Sequence, residues 1–219
     1  MSVYDKGGLM VYAVLSLLLN CQVGSMIDLP EPEFTDKSIE ECMKNRRSIR
    51  SFKDQVLSLK ELSNILWAAQ GITKQETGFR TVPSAGATYP LYIYFASENG
   101  FFLYLPKEHA IKKITGKDFR KDIAHAALDQ MFIADAGIVI IIAAIFENTT
   151  ARYGERGVRY VYNEVGHCAQ NIHLEAVALG LGSVPVGAYN DDELKELLGF
   201  DKEEPLYIIP VGKTVSSKD

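Results

Sequence analysis

The stretch RTVPSAGATYPLYIYF, residues 80–95, joins an uncharged loop to the start of a sheet. Two prolines, one glycine and several small side chains occupy residues 80–90, where Arg80 is the only charged residue. From Leu91 onward the residues alternate as they do in a strand. Such a loop lets main-chain groups approach a flat ligand, and Gly86 relaxes the backbone limits. A tight turn between two packed elements is the alternative interpretation of the same residues.

The remaining strand signals place this loop beside a central sheet. Residues 91–95 and 102–105 alternate at period two around Asn99-Gly100, which predicts a hairpin. Residues 137–145, GIVIIIAAI, are apolar on both faces and rich in β-branched side chains. They predict a strand at the centre of the sheet, with helices on both sides. Residues 205–212, PLYIIPVG, predict the final strand.

Helices are predicted from caps and from apolar periodicity. Ser38 and Ser58 each precede a glutamate by three residues, the pattern of a capping box. Further helices are predicted around residues 118–131, over 159–179, and after a cap at Asn190 or Asp191. The long helix carries Gly166, Ala169 and Ala176, small residues that permit close packing against a second subunit. Because a hairpin interrupts the element order, the sequence predicts an α+β fold over residues 25–219 and not a regular βαβ alternation.

Composition excludes several classes of protein. The 219 residues carry a formal net charge of −5, which argues against a nucleic-acid partner. The three cysteines have no paired spacing and the four histidines are scattered, so neither a disulfide framework nor a metal site is expected.

The N-terminal segment, residues 1–24, leaves two interpretations open. Residues 9–19 form an apolar run as long as the core of a signal peptide, and Cys21 follows in a loose lipoprotein-like context. The alternative is a helix that is buried or covered by a partner. A cytoplasmic protein is the first expectation, an exported lipoprotein is the alternative, and membrane association would require this segment as an anchor.

Two short motifs could grip a ligand. In RRSIR, Arg46 and Arg50 are four residues apart, so their guanidinium groups could converge on one phosphate near a helix end. A basic last turn that complements the helix dipole explains the same residues. GLGS, residues 180–183, could be a ligand loop or a simple helix C-cap. GxSxG, HExxH and P-loop patterns are missing from the sequence, which suggests that a cofactor carries the chemistry.

Taken together and in order, these segments resemble the nitroreductase family of FMN-dependent oxidoreductases. The resemblance covers roughly residues 38–212, and its pieces are RRSIRSF (46–52), PSAGATYPLYIYF (83–95), GHCAQNIHLEAVALGLGSVPVGAYNDDELKELLGF (166–200) and PLYIIPVG (205–212). PSAGATYP and RYGERGVRY are most similar to the SagB-type dehydrogenase branch. The resemblance implies a mixed, largely antiparallel central sheet flanked by helices, in an intertwined homodimer with two FMN sites at the subunit interface.

The resemblance also implies roles for individual residues. Arg46, Arg47, Ser48 and Arg50 would hold the phosphate and ribityl chain of FMN. Pro83, Ser84, Ala85 and Gly86 would come from the partner subunit and line the flavin, while Leu181, Gly182 and Ser183 would contact its ring through backbone groups. Glu164 and Tyr153 are the candidate catalytic side chains. Arg152-Tyr153 stands where azoline dehydrogenases of this branch carry Lys-Tyr, and arginine does not deprotonate to act as a base.

The implied activity is an FMN-dependent NAD(P)H oxidoreductase. NADH or NADPH would reduce the flavin and leave, and a small electron-poor acceptor such as a nitroaromatic or a quinone would then reoxidise it in a ping-pong cycle. One alternative is a flavin-dependent dehydrogenase of a peptide or small metabolite, similar to an azoline oxidase. The other is a protein that binds flavin without catalysis.

Overall fold

A computed structural model describes residues 22–215. The strands are β1 (Met26–Asp28), β2 (Ile72–Lys74), β3 (Phe79–Arg80), β4 (Leu91–Ser97), β5 (Gly100–Leu105), β6 (Ala110–Thr115), β7 (Ile138–Ala144), β8 (Leu181–Ser183) and β9 (Glu204–Lys213). The helices are α1 (Ile39–Asn45), α2 (Leu59–Gln70), α3 (Arg120–Ala126), α4 (Glu147–Tyr153), α5 (Arg156–Ala178) and α6 (Asp191–Leu198).

Seven strands form one sheet in the order β1-β6-β5-β4-β7-β9-β8, and neighbouring strands pair antiparallel. β2 and β3 form a separate hairpin. A parallel bridge joins Ser48 to Ser183 at the β8 edge. The large sheet with flanking helices confirms the predicted α+β class.

The hairpin and the central strand were predicted correctly. Ser97 pairs with Gly100 across the β4–β5 turn. A Cβ at Gly100 would lie 2.3 Å from the carbonyl oxygen of Thr115, so the close approach of β6 also requires glycine there. Every residue of β7 is buried, because the sheet is covered on both faces.

The two faces of the sheet carry two apolar cores. Alternate residues of β7 divide between them, with Ile140 and Ile142 on one face and Val139 and Ile141 on the other. α2 and α5 cover the first face, and α3 and α6 cover the second. α5 therefore runs along the sheet with one side buried and the other exposed.

Three local predictions need correction. The helix expected over 118–131 is only α3, because Leu128 and Asp129 adopt positive φ (59° and 58°) and end the helical path. Residues 181–183 are an edge strand paired with β9, whereas the sequence suggested only a loop or cap. Ala169 and Ala176 pack into the core of their own chain, so they do not form a contact surface for a second subunit.

Both predicted serine caps are present. Ser38 accepts a hydrogen bond from the amide of Glu41, and Ser58 forms the full capping box with Glu61. Asn190 caps α6. Within residues 22–215, no helix is both long and apolar enough to cross a bilayer. Most of the predicted N-terminal segment, residues 1–21, lies outside the described residues, so its two interpretations stay open.

Candidate functional site

The structure brings the RRSIR segment against β8. The amide of Ile49 donates to the carbonyl of Ser183 at 3.0 Å, next to the Ser48–Ser183 bridge. A Cβ at Gly182 would lie 2.8 Å from Cγ2 of Ile49, so glycine lets these two segments touch. We call residues 46–50 together with 181–183 the arginine half. It unites two of the three predicted ligand-binding motifs.

The three arginines of this half have different surroundings. The helix ends at Asn45, and the backbone of Arg46 is no longer helical (φ −56°, ψ 120°). Residues 46–50 therefore follow the helix end, and helical spacing does not determine whether Arg46 and Arg50 converge. Arg47 donates from Nη1 to the carbonyls of Lys44 (3.0 Å) and Arg46 (2.8 Å). Arg46 is half-buried, and Arg50 is exposed with its guanidinium 5.7 Å from the ring centre of Phe132.

A buried histidine that sequence reasoning set aside lies under the arginine half. Nδ1 of His173, on α5, is 2.8 Å from Oγ of Ser183. Burial and, to a smaller extent, the charge of Arg46 together lower the pKa of His173 to about 4. The imidazole is therefore neutral at pH 7, and its buried Nε2 has no hydrogen-bond partner. A buried ring nitrogen without a partner, next to a positively charged side chain, is typical of a position where a ligand atom or a water binds.

The loop of residues 83–90 is held by α4 of the same chain. Gly86 has φ +60°, and a Cβ there would lie 2.5 Å from Oη of Tyr153. Nη1 of Arg152 donates to the carbonyl of Gly86 at 3.2 Å. Oγ of Ser84 accepts from the amide of Tyr89 at 2.9 Å. Glycine is thus required by the contact with α4 as well as by its positive φ.

The surface of this loop is exposed although it carries no charge. Pro83, Gly86 and Ala87 are exposed, and Ser84 and Ala85 are half-buried. Ala87 also has positive φ (54°), a conformation that costs free energy in a residue other than glycine. An uncharged, main-chain-rich surface of this kind suits a flat ligand or a second protein chain.

Glu164 of α5 is buried close to this loop. It is 3% exposed, and burial raises its pKa to about 7, although the Ser84 hydroxyl, the Arg80 charge and the Gln70 amide act in the opposite direction. Its Oε1 has no hydrogen bond of normal geometry. The carboxyl group is therefore placed to hold or release a proton near neutral pH. We call Pro83–Tyr89 with Arg152, Tyr153 and Glu164 the loop half.

The two halves lie apart within one chain. Glu164 and His173 are nine residues apart on α5, which corresponds to about 13 Å along a helix. Among the described residues, no hydrogen bond or ring contact joins loop 83–90 to segment 46–50. Residues 22–215 also contain no cluster of three or more acidic, histidine or cysteine side chains that could hold a metal.

Replacing Glu164 with glutamine tests its buried environment. A carboxyl group whose folded pKa exceeds its unfolded value stabilises the fold at low pH and loses that contribution as the pH rises through the folded value. We expect the free energy of unfolding of wild type to fall, relative to Glu164→Gln, between about pH 4.5 and pH 7, by on the order of 3 kcal/mol. Urea unfolding across this range measures the difference. Glu108→Gln, at an exposed turn, is the matched control, and parallel pH curves for wild type and Glu164→Gln would contradict the assignment.

A family model and known proteins match most of this chain. The model described as the nitroreductase family matches residues 43–213. The chain is 48% identical over 199 residues to "Putative nitroreductase MJ1384" of Methanocaldococcus jannaschii, covering 88% of this chain and 100% of that protein. It is 23% identical over 204 residues to the trifolitoxin operon protein TfxC of Rhizobium leguminosarum bv. trifolii, covering 84% of this chain but only 57% of that relative.

Solved structures agree. The crystal structure described as that of a putative nitroreductase from Ralstonia eutropha has a TM-score of 0.78 to this chain, with 28% identity, covering 88% of this chain and 90% of its own. The family match spans most of the chain and includes both the arginine half and the loop half. The chain therefore belongs to the nitroreductase family.

Proposed function

We propose that this protein is an FMN-dependent oxidoreductase that takes electrons from NADH or NADPH. The observation that carries the proposal is the arginine half, where the arginine-rich segment 46–50 is hydrogen-bonded to β8. The match to the nitroreductase family supports the same activity. When bound, FMN supplies two-electron transfer from the nicotinamide to an electron-poor acceptor such as a nitroaromatic or a quinone.

The residues present fit this group. Three arginines within five positions suit a terminal phosphate, because guanidinium groups form paired, charge-assisted hydrogen bonds with oxyanions. The orphaned Nε2 of His173 beside Arg46 offers a further polar contact. A GxGxxG dinucleotide loop is missing from the sequence, which favours FMN over FAD.

In this proposal, Arg46 and Arg50 bind the phosphate, and Ser48 adds its exposed hydroxyl. Arg47 shapes the segment through its bonds to the carbonyls of Lys44 and Arg46. Leu181, Gly182 and Ser183 offer backbone groups, and His173 holds the side chain of Ser183 in one orientation.

We propose that the loop half of a second copy completes each site in a homodimer. Two observations support this arrangement: no hydrogen bond or ring contact joins the two halves among the described residues, and loop 83–90 leaves an uncharged surface that a second copy could cover. Pro83, Ser84, Ala85 and Gly86 would exclude water from one face of the ligand. Glu164 would hold a proton close to this surface. Tyr153 would support the loop by packing against Gly86.

Visible spectroscopy of the purified protein tests the proposal. We expect a flavin spectrum, either as purified or after reconstitution, and chromatography of the released cofactor should identify FMN. Anaerobic addition of NADPH or NADH should bleach the band, and a nitroaromatic or a quinone should restore it. A protein that stays colourless after incubation with FMN would refute cofactor binding. A yellow protein that neither nicotinamide bleaches would favour a flavin-binding protein without this activity.

A second candidate is a flavin-dependent dehydrogenase of a peptide or small metabolite, and the similarity to TfxC favours it only in that this relative is a trifolitoxin operon protein. In that case bound flavin would be reduced by the peptide substrate and not by the nicotinamide. Arg152 in place of lysine weakens this candidate, because a guanidinium group does not accept a proton.

A further inference from the structure

A small cavity lies where the end of α2 and β3 meet strands β4 and β5. Its volume is about 140 Å³. Gln70 supplies an amide and Arg80 a guanidinium group, Tyr89, Tyr92 and Tyr104 contribute phenol rings, and Leu91 and Ile93 are among the apolar lining residues. The cavity adjoins the loop half only through Tyr89 and contains no residue of the arginine half.

Two buried donors at this cavity lack a hydrogen bond of normal geometry. Gln70 is fully buried, and neither its Nε2 nor the buried Nε of Arg80 makes a hydrogen bond of normal geometry, although the Gln70 amide lies near the Glu164 carboxylate. Nη1 of Arg80 donates to Oε1 of Gln70 at 2.9 Å, which fixes the orientation of the amide. The guanidinium lies 4.4 Å from the ring centre of Tyr89, which restricts its movement. Buried donors are almost always hydrogen-bonded, so this pair calls for an acceptor.

Glu164 does not account for these donors. It lies close enough to Arg80 and Gln70 for both to favour its ionised form, yet its own Oε1 lacks a hydrogen bond of normal geometry. An arginine and a glutamine side chain together present seven N–H donors, more than one carboxylate accepts. An additional oxyanion would use the remaining ones.

The other walls limit what can accompany the oxyanion. Tyr104 already bonds through Oη to Nδ1 of His109 at 2.9 Å, so its ring acts as a wall and its hydroxyl is occupied. Leu91, Ile93 and Leu103 supply apolar surface. A cavity of about 150 Å³ admits a benzene-sized molecule, so the available space suits a short apolar body.

We propose that this cavity binds a small monocarboxylate, with its carboxylate on Arg80 and Gln70 and its apolar part against Leu91, Ile93 and Leu103. The site requires neither FMN nor a second subunit, so it stands or falls independently of the proposed oxidoreductase activity. Arginine suits the carboxylate because its planar fork binds both oxygens at once.

Binding should be coupled to the protonation of Glu164. The groups that face Arg80 and Glu164 are the phenols of Tyr89, Tyr92 and Tyr104, with His109 bonded to Tyr104, and the thiol of Cys168. Burial raises the pKa of both Tyr104 and Cys168, which keeps them uncharged at neutral pH. When Glu164 is protonated, the charge of Arg80 is free for the ligand. We expect affinity to rise as the pH falls from 8 to 6, by up to roughly tenfold.

Calorimetric titration of the full-length protein with benzoate, in a buffer without carboxylates, tests the site. Benzoate should bind and the neutral isostere benzamide should bind much more weakly. Arg80→Gln should lower benzoate affinity by about ten- to a hundredfold, since it removes charge-assisted bonds. Lys121→Gln, an exposed charge on α3, is the matched control and should not change the affinity.

A second variant separates loss of the site from loss of the fold. Leu105→Phe fills the cavity from a half-buried position and keeps Arg80, so it should abolish benzoate binding while the protein stays folded. Glu164→Gln should bind benzoate without the pH dependence. Equal binding of benzoate and benzamide, unchanged affinity in Arg80→Gln, or no binding at the highest soluble benzoate concentration would each overturn the proposal.

Discussion

FMN binding is expected to weaken by about ten- to a hundredfold when Arg46 is replaced by alanine, while riboflavin binding changes little. Riboflavin lacks the phosphate, so it does not use the guanidinium group. A hydrogen bond to a charged group contributes about 1.5–3 kcal/mol, and each ~1.4 kcal/mol corresponds to a factor of ten in affinity. Fluorescence titration of the apoprotein with both ligands measures the difference.

The surroundings of the arginines rank the expected effects. Arg46 is half-buried beside His173, so it has fewer competing water contacts and should matter most. Arg50 is exposed, so Arg50→Ala should show the same selectivity for FMN with a smaller loss. Lys53→Ala removes an exposed charge just beyond the segment and is the matched control. Equal losses for FMN and riboflavin would mean that the arginines support the fold and not the phosphate.

The proposed homodimer is expected to dissociate and lose its flavin when Gly166 is replaced by arginine. Gly166 lies on the exposed side of α5, where Tyr162 and Val158 are also exposed, and a Cβ there meets no atom within 4 Å in its own chain. The single chain should therefore tolerate the change, and glycine is itself a poor helix former. If this side of α5 contacts a second copy, an arginine would overpack the contact, at a cost of about 1–3 kcal/mol. Burying its charge would add to this cost.

Sedimentation measures the oligomeric state, and visible absorbance measures the bound flavin. Because a flavin held between two copies binds only the assembled state, loss of the dimer should remove the yellow colour in the same concentration range. Gln75→Arg, at the exposed β2–β3 turn, is the control for an added arginine. A wild-type monomer that holds one FMN per chain would show that the site is built within a single chain.

Ala169 shows how far the sequence could guide this experiment. Its small size on a long helix suggested an interface, but it is 4% exposed within the core of its own chain. A small residue permits close packing without specifying which element approaches. Only the position of the sheet relative to α5 distinguishes Ala169, which faces the core, from Gly166, which faces outward.

Patterns within short stretches of sequence predicted several elements correctly. The hairpin signalled by Asn99-Gly100, the serine caps of α1 and α2, and the apolar run of β7 are all recognisable from residues close together in sequence, and the structure contains these elements, with Glu98 and Asn99 as the two turn residues of the hairpin. The same holds for the α+β class, which follows from the order of these elements.

Long-range contacts determined the rest. β8 has three residues and is a strand because it pairs with β9, some thirty residues later, so nothing within it predicts a strand. His173 acquires its role from Ser183 and Arg46, and Glu164 acquires its raised pKa from burial beside loop 83–90. The sequence by itself determined the arginine cluster, the uncharged loop and the strand that follows this loop. Burial and the neighbours of a polar side chain depend on how distant segments pack, and that is why only the tertiary structure decided which side chains work together.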